Sequence, residues 1–94
     1  MKISVSQVSQ VIGGRLFASA EAAAEYCWSC AWDSREVSEG SLYFGLPGEN
    51  VDGAKFVEKA FEAGAMLSII REAADEGILE AAEQAARDFD RALI

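Results

Sequence analysis

The spacing of apolar residues along this chain changes several times, and each change predicts an element. Residues 4–12 read as a short helix, with Val8, Val11 and Ile12 lining one face. Ser4 and Gln7 have the spacing of a capping box, in which hydroxyl and amide satisfy two backbone N–H groups reciprocally. Ile3 and Val8 stand where a hydrophobic staple would sit. Gly13-Gly14 ends the helix, because glycine enters the left-handed region without a Cβ clash. Arg15-Leu16-Phe17 reads as a short extended piece, and the Ala/Glu-rich residues 18–25 as a surface turn of helix or a loop.

From Tyr26 to Trp32 the period drops to two. Tyr26, Trp28, Cys30 and Trp32 alternate with the small Cys27, Ser29 and Ala31, which predicts a strand whose aromatic set is core or interface. Asp33-Ser34-Arg35 is a polar break and Ser38-Glu39-Gly40 a tight turn. Ser41 to Leu46 is a second strand, with apolar Leu42, Phe44 and Leu46, stopped by Pro47-Gly48. Asp52 is the expected N-cap of a helix through Ala63, in which Phe56, Val57, Ala60 and Phe61 recur at helical spacing and which Gly64 closes. Ala65 to Ile70 is nearly all apolar, hence a third strand buried on both faces.

Strand, helix and strand between Ser41 and Ile70 form a βαβ unit, whose crossover makes the two strands parallel. A further helix is expected over Ile78–Asp88, with Leu79, Ala82, Ala86 and Phe89 on one side. Arg91-Ala92-Leu93-Ile94 opens a last strand, read as cut short by a truncation. The fold class is therefore α/β: a small mixed or parallel sheet of three to five short strands flanked by helices. At 94 residues, 1–94 is expected to be a single domain.

Charge and composition narrow the chemistry. Sixteen acidic residues against eight basic ones give a net charge of −8, which repels a phosphate backbone or an anionic membrane at long range. One small anionic ligand is still admissible, because a few backbone N–H groups and one arginine make a local positive site. The chain has no histidine, so the commonest general base near neutral pH and the commonest metal ligand are missing. No apolar run approaches the roughly 20 residues of a membrane-spanning helix, and Ser6-Gln7 interrupts any signal-peptide core, so a cytoplasmic location is expected. Cys27 and Cys30 form a Cys-x-x-Cys pair, read either as a dithiol redox module or as two small half-buried strand residues. A zinc site would need two further soft or imidazole ligands, and the sequence has none to offer.

The stretch Asp33-Ser34-Arg35, the Gly40 turn, Leu42-Tyr43-Phe44, Gly48-Glu49 and Asp52-Gly53, followed by Gly64-Ala65 before an apolar strand, is an ordered series of short motifs. It resembles the N-terminal domain of the Mur ligases, which act in cytoplasmic assembly of the peptidoglycan precursor. The helix followed by Gly13-Gly14-Arg15-Leu16 looks most like the type that adds D-alanyl-D-alanine, with the diaminopimelate- or lysine-adding type as the alternative. The resemblance covers most of the chain, while residues 18–31 and 71–90 match poorly.

That resemblance implies a domain that binds the UDP end of a UDP-N-acetylmuramoyl peptide. It implies substrate contacts at Trp32, Ser34, Arg35, Glu49, Asn50 and Val51, with Asp33, Gly40, Gly48, Asp52, Gly53 and Gly64 as backbone motif. Trp32 replaces a smaller residue of the usual pattern, so it either stacks on uracil or obstructs the pocket. The local alternatives are an Asp33–Arg35 ion pair that steadies the turn, and Ser34 as a turn former. The resemblance also implies a central ATP-binding domain and a C-terminal domain in the parent protein, with ATP and Mg2+ as the parent's cofactors. This chain has no Gly-x-x-Gly-Lys-Thr loop to cradle phosphates, so neither cofactor nor catalysis is expected of it alone. The reading from another class is a non-catalytic binding or scaffold domain of the same fold.

Overall fold

The computed structural model describes residues 2–45, 56–70 and 76–94. Its elements in chain order are β1 (Ile3–Ser4), α1 (Val5–Ile12), α2 (Ala20–Ala23), β2 (Tyr26–Cys27) and β3 (Ser29–Ala31). A 3-10 turn (Ser34–Glu36) leads to β4 (Ser41–Gly45), α3 (Val57–Glu62), β5 (Leu67–Ile70), α4 (Glu76–Phe89) and β6 (Ala92–Leu93). Four strands form a parallel sheet in the order β3-β4-β5-β6, and β1 pairs with β2 in a separate antiparallel ribbon. The outer edge of β6 is occupied by an antiparallel bridge between Phe17 and Leu93, each donating its N–H to the other's carbonyl at 2.8 and 2.9 Å. The expected α/β class with short strands is therefore the one observed.

The first helix follows its sequence signals. The Gln7 N–H donates to Ser4 Oγ at 3.1 Å and the Ser4 N–H donates to Gln7 Oε1 at 2.9 Å, so the capping box is closed. Gly13, at φ 77°, provides the left-handed stop. The apolar face differs from the expectation: Val5 and Val8 are buried, whereas Val11 is 81% and Ile12 48% exposed. At about 100° per residue, Val11 stands roughly 120° round the helix from Val5, away from the sheet.

Residues 26–32 are not one strand. The chain changes partner at Trp28, leaving β1 at Cys27 and joining β4 from Ser29. Burial does not alternate through the stretch: Cys27 and Ala31 are buried, Ser29 and Cys30 are both exposed, and Tyr26, Trp28 and Trp32 are exposed, so the aromatics lie at the surface and not in the core. The two buried residues are small because each meets space that is already filled. Cys27 lies in the cluster with Val5 and Val8, and Ala31 pairs with the buried Tyr43.

Sequential order in a parallel sheet sends same-handed crossovers to one face. On that face α3 and α4 pack Val57, Ala60, Phe61, Ala82, Ala85 and Ala86 against Tyr43, Ile70 and Leu93. The second face, carrying Leu42, Leu67, Ile69 and Ala92, is covered by Val5 and Val8 of α1 and by Cys27. β5 is buried along its whole length, as its apolar run predicts. β4 is buried on both faces too, so Tyr43 belongs to the core beside the expected Leu42. In α4 the buried positions are Ala82, Ala85 and Ala86. Phe89 reaches only the rim, its ring centroid 6.2 Å from that of Phe61. The expected N-cap Asp52 and the strand end Leu46 lie outside the described residues.

Candidate functional site

β3 and β4 run parallel with Ala31 beside Tyr43, so the chain leaves Ala31 and Gly45 at the same edge of the sheet. Ligands of open parallel sheets bind beyond the carboxyl ends of the strands, which makes this edge the place to look. Three of the expected substrate residues follow β3 directly. Trp32 is 64% exposed and stacks on Phe44, with ring centroids 4.8 Å apart and planes 15° apart. Phe44 is half-buried against the cluster around Leu42 and Ile69.

Asp33 caps the 3-10 turn by accepting from the Arg35 N–H at 2.9 Å. The same carboxylate accepts from Arg35 Nε at 3.0 Å and from Arg35 Nη2 at 2.6 Å. These bonds hold the Asp33 carboxyl down to about 2 and push the Arg35 guanidinium up. The expected ion pair is thus present, and it fixes Arg35 as one arm of the turn. Ser34, between them, is half-buried, and its carbonyl accepts from the Val37 N–H at 3.5 Å.

The turn into β4 is tied to the turn into β5. The Gly40 N–H donates to the Gly64 carbonyl at 2.9 Å. Gly40 has φ +83°, and a Cβ there would lie 3.0 Å from Cδ1 of Trp28, so backbone conformation and the indole both require glycine. A hydroxyl pair joins β3 to β4, Ser29 Oγ lying 3.0 Å from Ser41 Oγ.

The structure thus brings Trp32, Asp33, Ser34 and Arg35 together at the carboxyl end of β3, whereas Gly40 and Gly64 lie at the opposite end of the sheet, ahead of β4 and β5. Glu49, Asn50, Val51, Gly48, Asp52 and Gly53 lie outside the described residues. Sequence reasoning missed Phe44 as a partner of Trp32. Its signal was the register: once Ala31 is set beside Tyr43, residue 32 falls beside residue 44. Two cavities of about 470 Å³ lie elsewhere, one lined by Gly13, Gly14, Ile70 and Ile94, the other by Phe17, Ser19, Arg87 and Arg91. Neither includes Trp32, Ser34 or Arg35. Among the described residues no group of three or more His, Cys, Asp or Glu side chains is placed to hold a metal ion. No described helix is long and apolar enough to cross a membrane.

Residues 29–92, more than half of the chain, match the family model described as "Mur ligase family, catalytic domain". The chain belongs to the Mur ligase family. The match begins at β3 and ends at the first residue of β6, so it covers the parallel sheet except Leu93, while α1 and the β1-β2 ribbon lie outside it. Three similar proteins are named as UDP-N-acetylmuramoyl-L-alanyl-D-glutamate–2,6-diaminopimelate ligases. That of Parasynechococcus marenigrum is 50% identical over 52 residues, covering 55% of this chain and 10% of the relative. That of Prochlorococcus marinus is 52% identical over 46 residues, covering 49% and 9%. That of Haemophilus ducreyi is 38% identical over 60 residues, covering 63% and 12%. The matched part of this Mur ligase chain therefore spans about a tenth of those relatives' length. Their names agree with the diaminopimelate alternative rather than with the D-alanyl-D-alanine type that Gly13-Gly14-Arg15-Leu16 resembles.

Proposed function

We propose that this chain is the nucleotide-recognising N-terminal domain of a Mur ligase that adds diaminopimelate to UDP-N-acetylmuramoyl-L-alanyl-D-glutamate during cytoplasmic peptidoglycan precursor synthesis. The observation that carries the reading is the Asp33-Ser34-Arg35 turn at the carboxyl end of β3, inside the stretch matched by the family model and beside the end of β4. In this reading the UDP end lies over Trp32, with the Ser34 hydroxyl and the Arg35 guanidinium at its polar groups. Glu49, Asn50 and Val51, which follow β4 in the sequence, complete the grip. Asp33 acts on the ligand only through Arg35, by holding the guanidinium in place.

In this proposal ATP belongs to a central domain of the parent protein and the incoming amino acid to a C-terminal domain, with magnesium a further cofactor of the parent. The residues present do not fit ATP or magnesium: the sequence has no Gly-Lys-Thr loop, so no step of the amide-forming reaction is assigned to this chain. The relatives' names favour diaminopimelate over D-alanyl-D-alanine as the incoming group. Titrating the isotope-labelled chain with UDP-N-acetylmuramoyl-L-alanyl-D-glutamate tests the assignment. Amide shifts concentrated at residues 32–35 and 49–51 are expected. No shift at millimolar ligand, or shifts centred elsewhere, would overturn it in favour of a scaffold domain that has lost nucleotide recognition.

A further inference from the structure

Trp32 has an unusual setting for so large an apolar side chain. One face of its indole lies on Phe44, nearly parallel and 4.8 Å away between centroids, yet 64% of the residue is open to solvent. A packing pair in a core would be covered on both sides. Here the lower ring is anchored, because Phe44 is half-buried against the Leu42–Ile69 cluster, and the upper ring has an uncovered face. The anchor comes from the sheet itself. Ala31 and Tyr43 are register partners, so residues 32 and 44 stand side by side at the strand ends, both directed to the α1 side of the sheet.

From this geometry, and resting on the nucleotide-binding reading above, we infer that Phe44 is a positioning residue for base recognition: it holds the Trp32 indole flat, so that the open face is a platform for the uracil ring. The ligand feature selected is then a planar, electron-poor ring stacked as a third layer above Phe44 and Trp32. Without Phe44 the indole would sample several rotamers, and binding would have to order it. Offset stacking favours the near-parallel arrangement already present in the free chain. Ser34 and Arg35, two and three residues along, leave the platform on its polar side, where a ribose and diphosphate would lie. The alternative, that Trp32 obstructs the pocket, requires its open face to point at the ligand without stacking on it.

The test uses the whole chain carrying Trp28→Phe, so that Trp32 is the sole tryptophan. Three probes are titrated: UDP, its 5,6-dihydrouracil analogue, which keeps the polar edge but loses the planar aromatic ring, and inorganic pyrophosphate. UDP should quench Trp32 emission and bind more tightly than the dihydro analogue. Trp32→Ala should weaken UDP by about five- to a hundredfold, the range for losing one base–aromatic stack. Phe44→Leu should weaken UDP by about two- to fivefold, shift Trp32 emission to the red and erase the preference over the dihydro analogue. Phe44→Tyr should restore both, and pyrophosphate should bind all variants alike. Should Phe44→Leu unfold the chain, Phe44→Met makes the same comparison, since methionine fills an irregular gap without supplying a ring.

The inference is overturned if Phe44→Leu leaves UDP affinity unchanged, or if it weakens UDP and pyrophosphate equally. Tighter UDP binding by Trp32→Ala would mean that the indole obstructs. In either case UDP still binds, and the nucleotide-binding reading survives. If the chain with Trp28→Phe shows no saturable response to UDP, that reading falls as well.

Discussion

The two faces of the parallel sheet are closed by different means and to different degrees. On one face α3 and α4 bring alanines at 60, 82, 85 and 86 close to the strands, and Phe61, Tyr43 and Leu93 fill the space between. On the other, an eight-residue helix and a ribbon with two residues per strand cover only the middle. There Val11, Ile12, Cys30 and Trp32 are exposed. The asymmetry follows from topology. Crossovers between sequential parallel strands fall on one side, so the other side receives only what precedes β3. A stacked aromatic pair with one open face can therefore exist on the α1 side, whereas the α3–α4 side has no room for it. Stability is concentrated on the first face, and access on the second.

Phe61→Ala and Val11→Ala set the two faces against each other with the largest expected contrast. Phe61 is 3% exposed in the closed face, and its truncation is expected to cost about 3–5 kcal/mol in urea unfolding, a large part of a small domain's margin. Val11, 81% exposed, should change stability by no more than about 0.5 kcal/mol. Comparable losses for the two variants would show that α1 buries a face that the structure leaves open.

The next contrast lies at the turn that joins the closed face to the sheet. Gly64 has φ +109°, and a Cβ there would lie 2.6 Å from the Glu39 Cα. The obstacle is backbone, so it cannot yield as a side chain does, and few L residues adopt that φ. Gly64→Ala is expected to cost about 1–3 kcal/mol, read as a lowered Tm. An unchanged Tm would mean that the turns at Gly40 and Gly64 are not locked together as their hydrogen bond indicates.

How far the sequence foretold this arrangement depends on how long each signal runs. The capping box at Ser4–Gln7, the Gly13 stop and the β4–α3–β5 unit were legible, because each combines a period with a chemically specific boundary. The β1-β2 ribbon was not, since two residues per strand show no period. Residues 26–32 show the limit of alternation: a period of two sorts side chains into two sets without saying which set faces inward. The aromatic set is compatible with core or interface by size, and bulk from Val5, Val8 and Tyr43 leaves only the small Cys27 and Ala31 buried. At the site, the Asp33–Arg35 pair was legible from adjacency, whereas Phe44 depends on a register between strands that is visible only once they are paired.

Ser4→Ala acts on the open face alone. It removes the hydroxyl that accepts from the Gln7 N–H and so opens the capping box of α1, at an expected cost of about 1 kcal/mol. Hydrogen exchange should speed up at the first turn of α1 and leave α3 protected. Equal acceleration in both helices would mean that the two faces unfold as one unit, which would erase the distinction between them at the level of dynamics.

The smallest effect gives the finest reading of where cover ends on that face. Cys27 is fully buried beneath α1, and Cys30, three residues on, is exposed; both are free thiols. Alkylation near pH 8 is expected to modify Cys30 quickly and Cys27 only when the chain unfolds, and Cys30→Ser should alter stability by no more than about 0.5 kcal/mol. Burial pushes the Cys27 thiol up to about 11 from an ordinary 9.0. The folded chain then holds that proton more tightly than the unfolded chain does. The stabilisation is complete below pH 9 and is lost as pH rises from 9 toward 11, and Cys27→Ala should remove the decline in that window. A pair of thiols titrating together near the ordinary value, or closing readily into a disulfide, would instead revive the dithiol reading and place Cys27 at the surface.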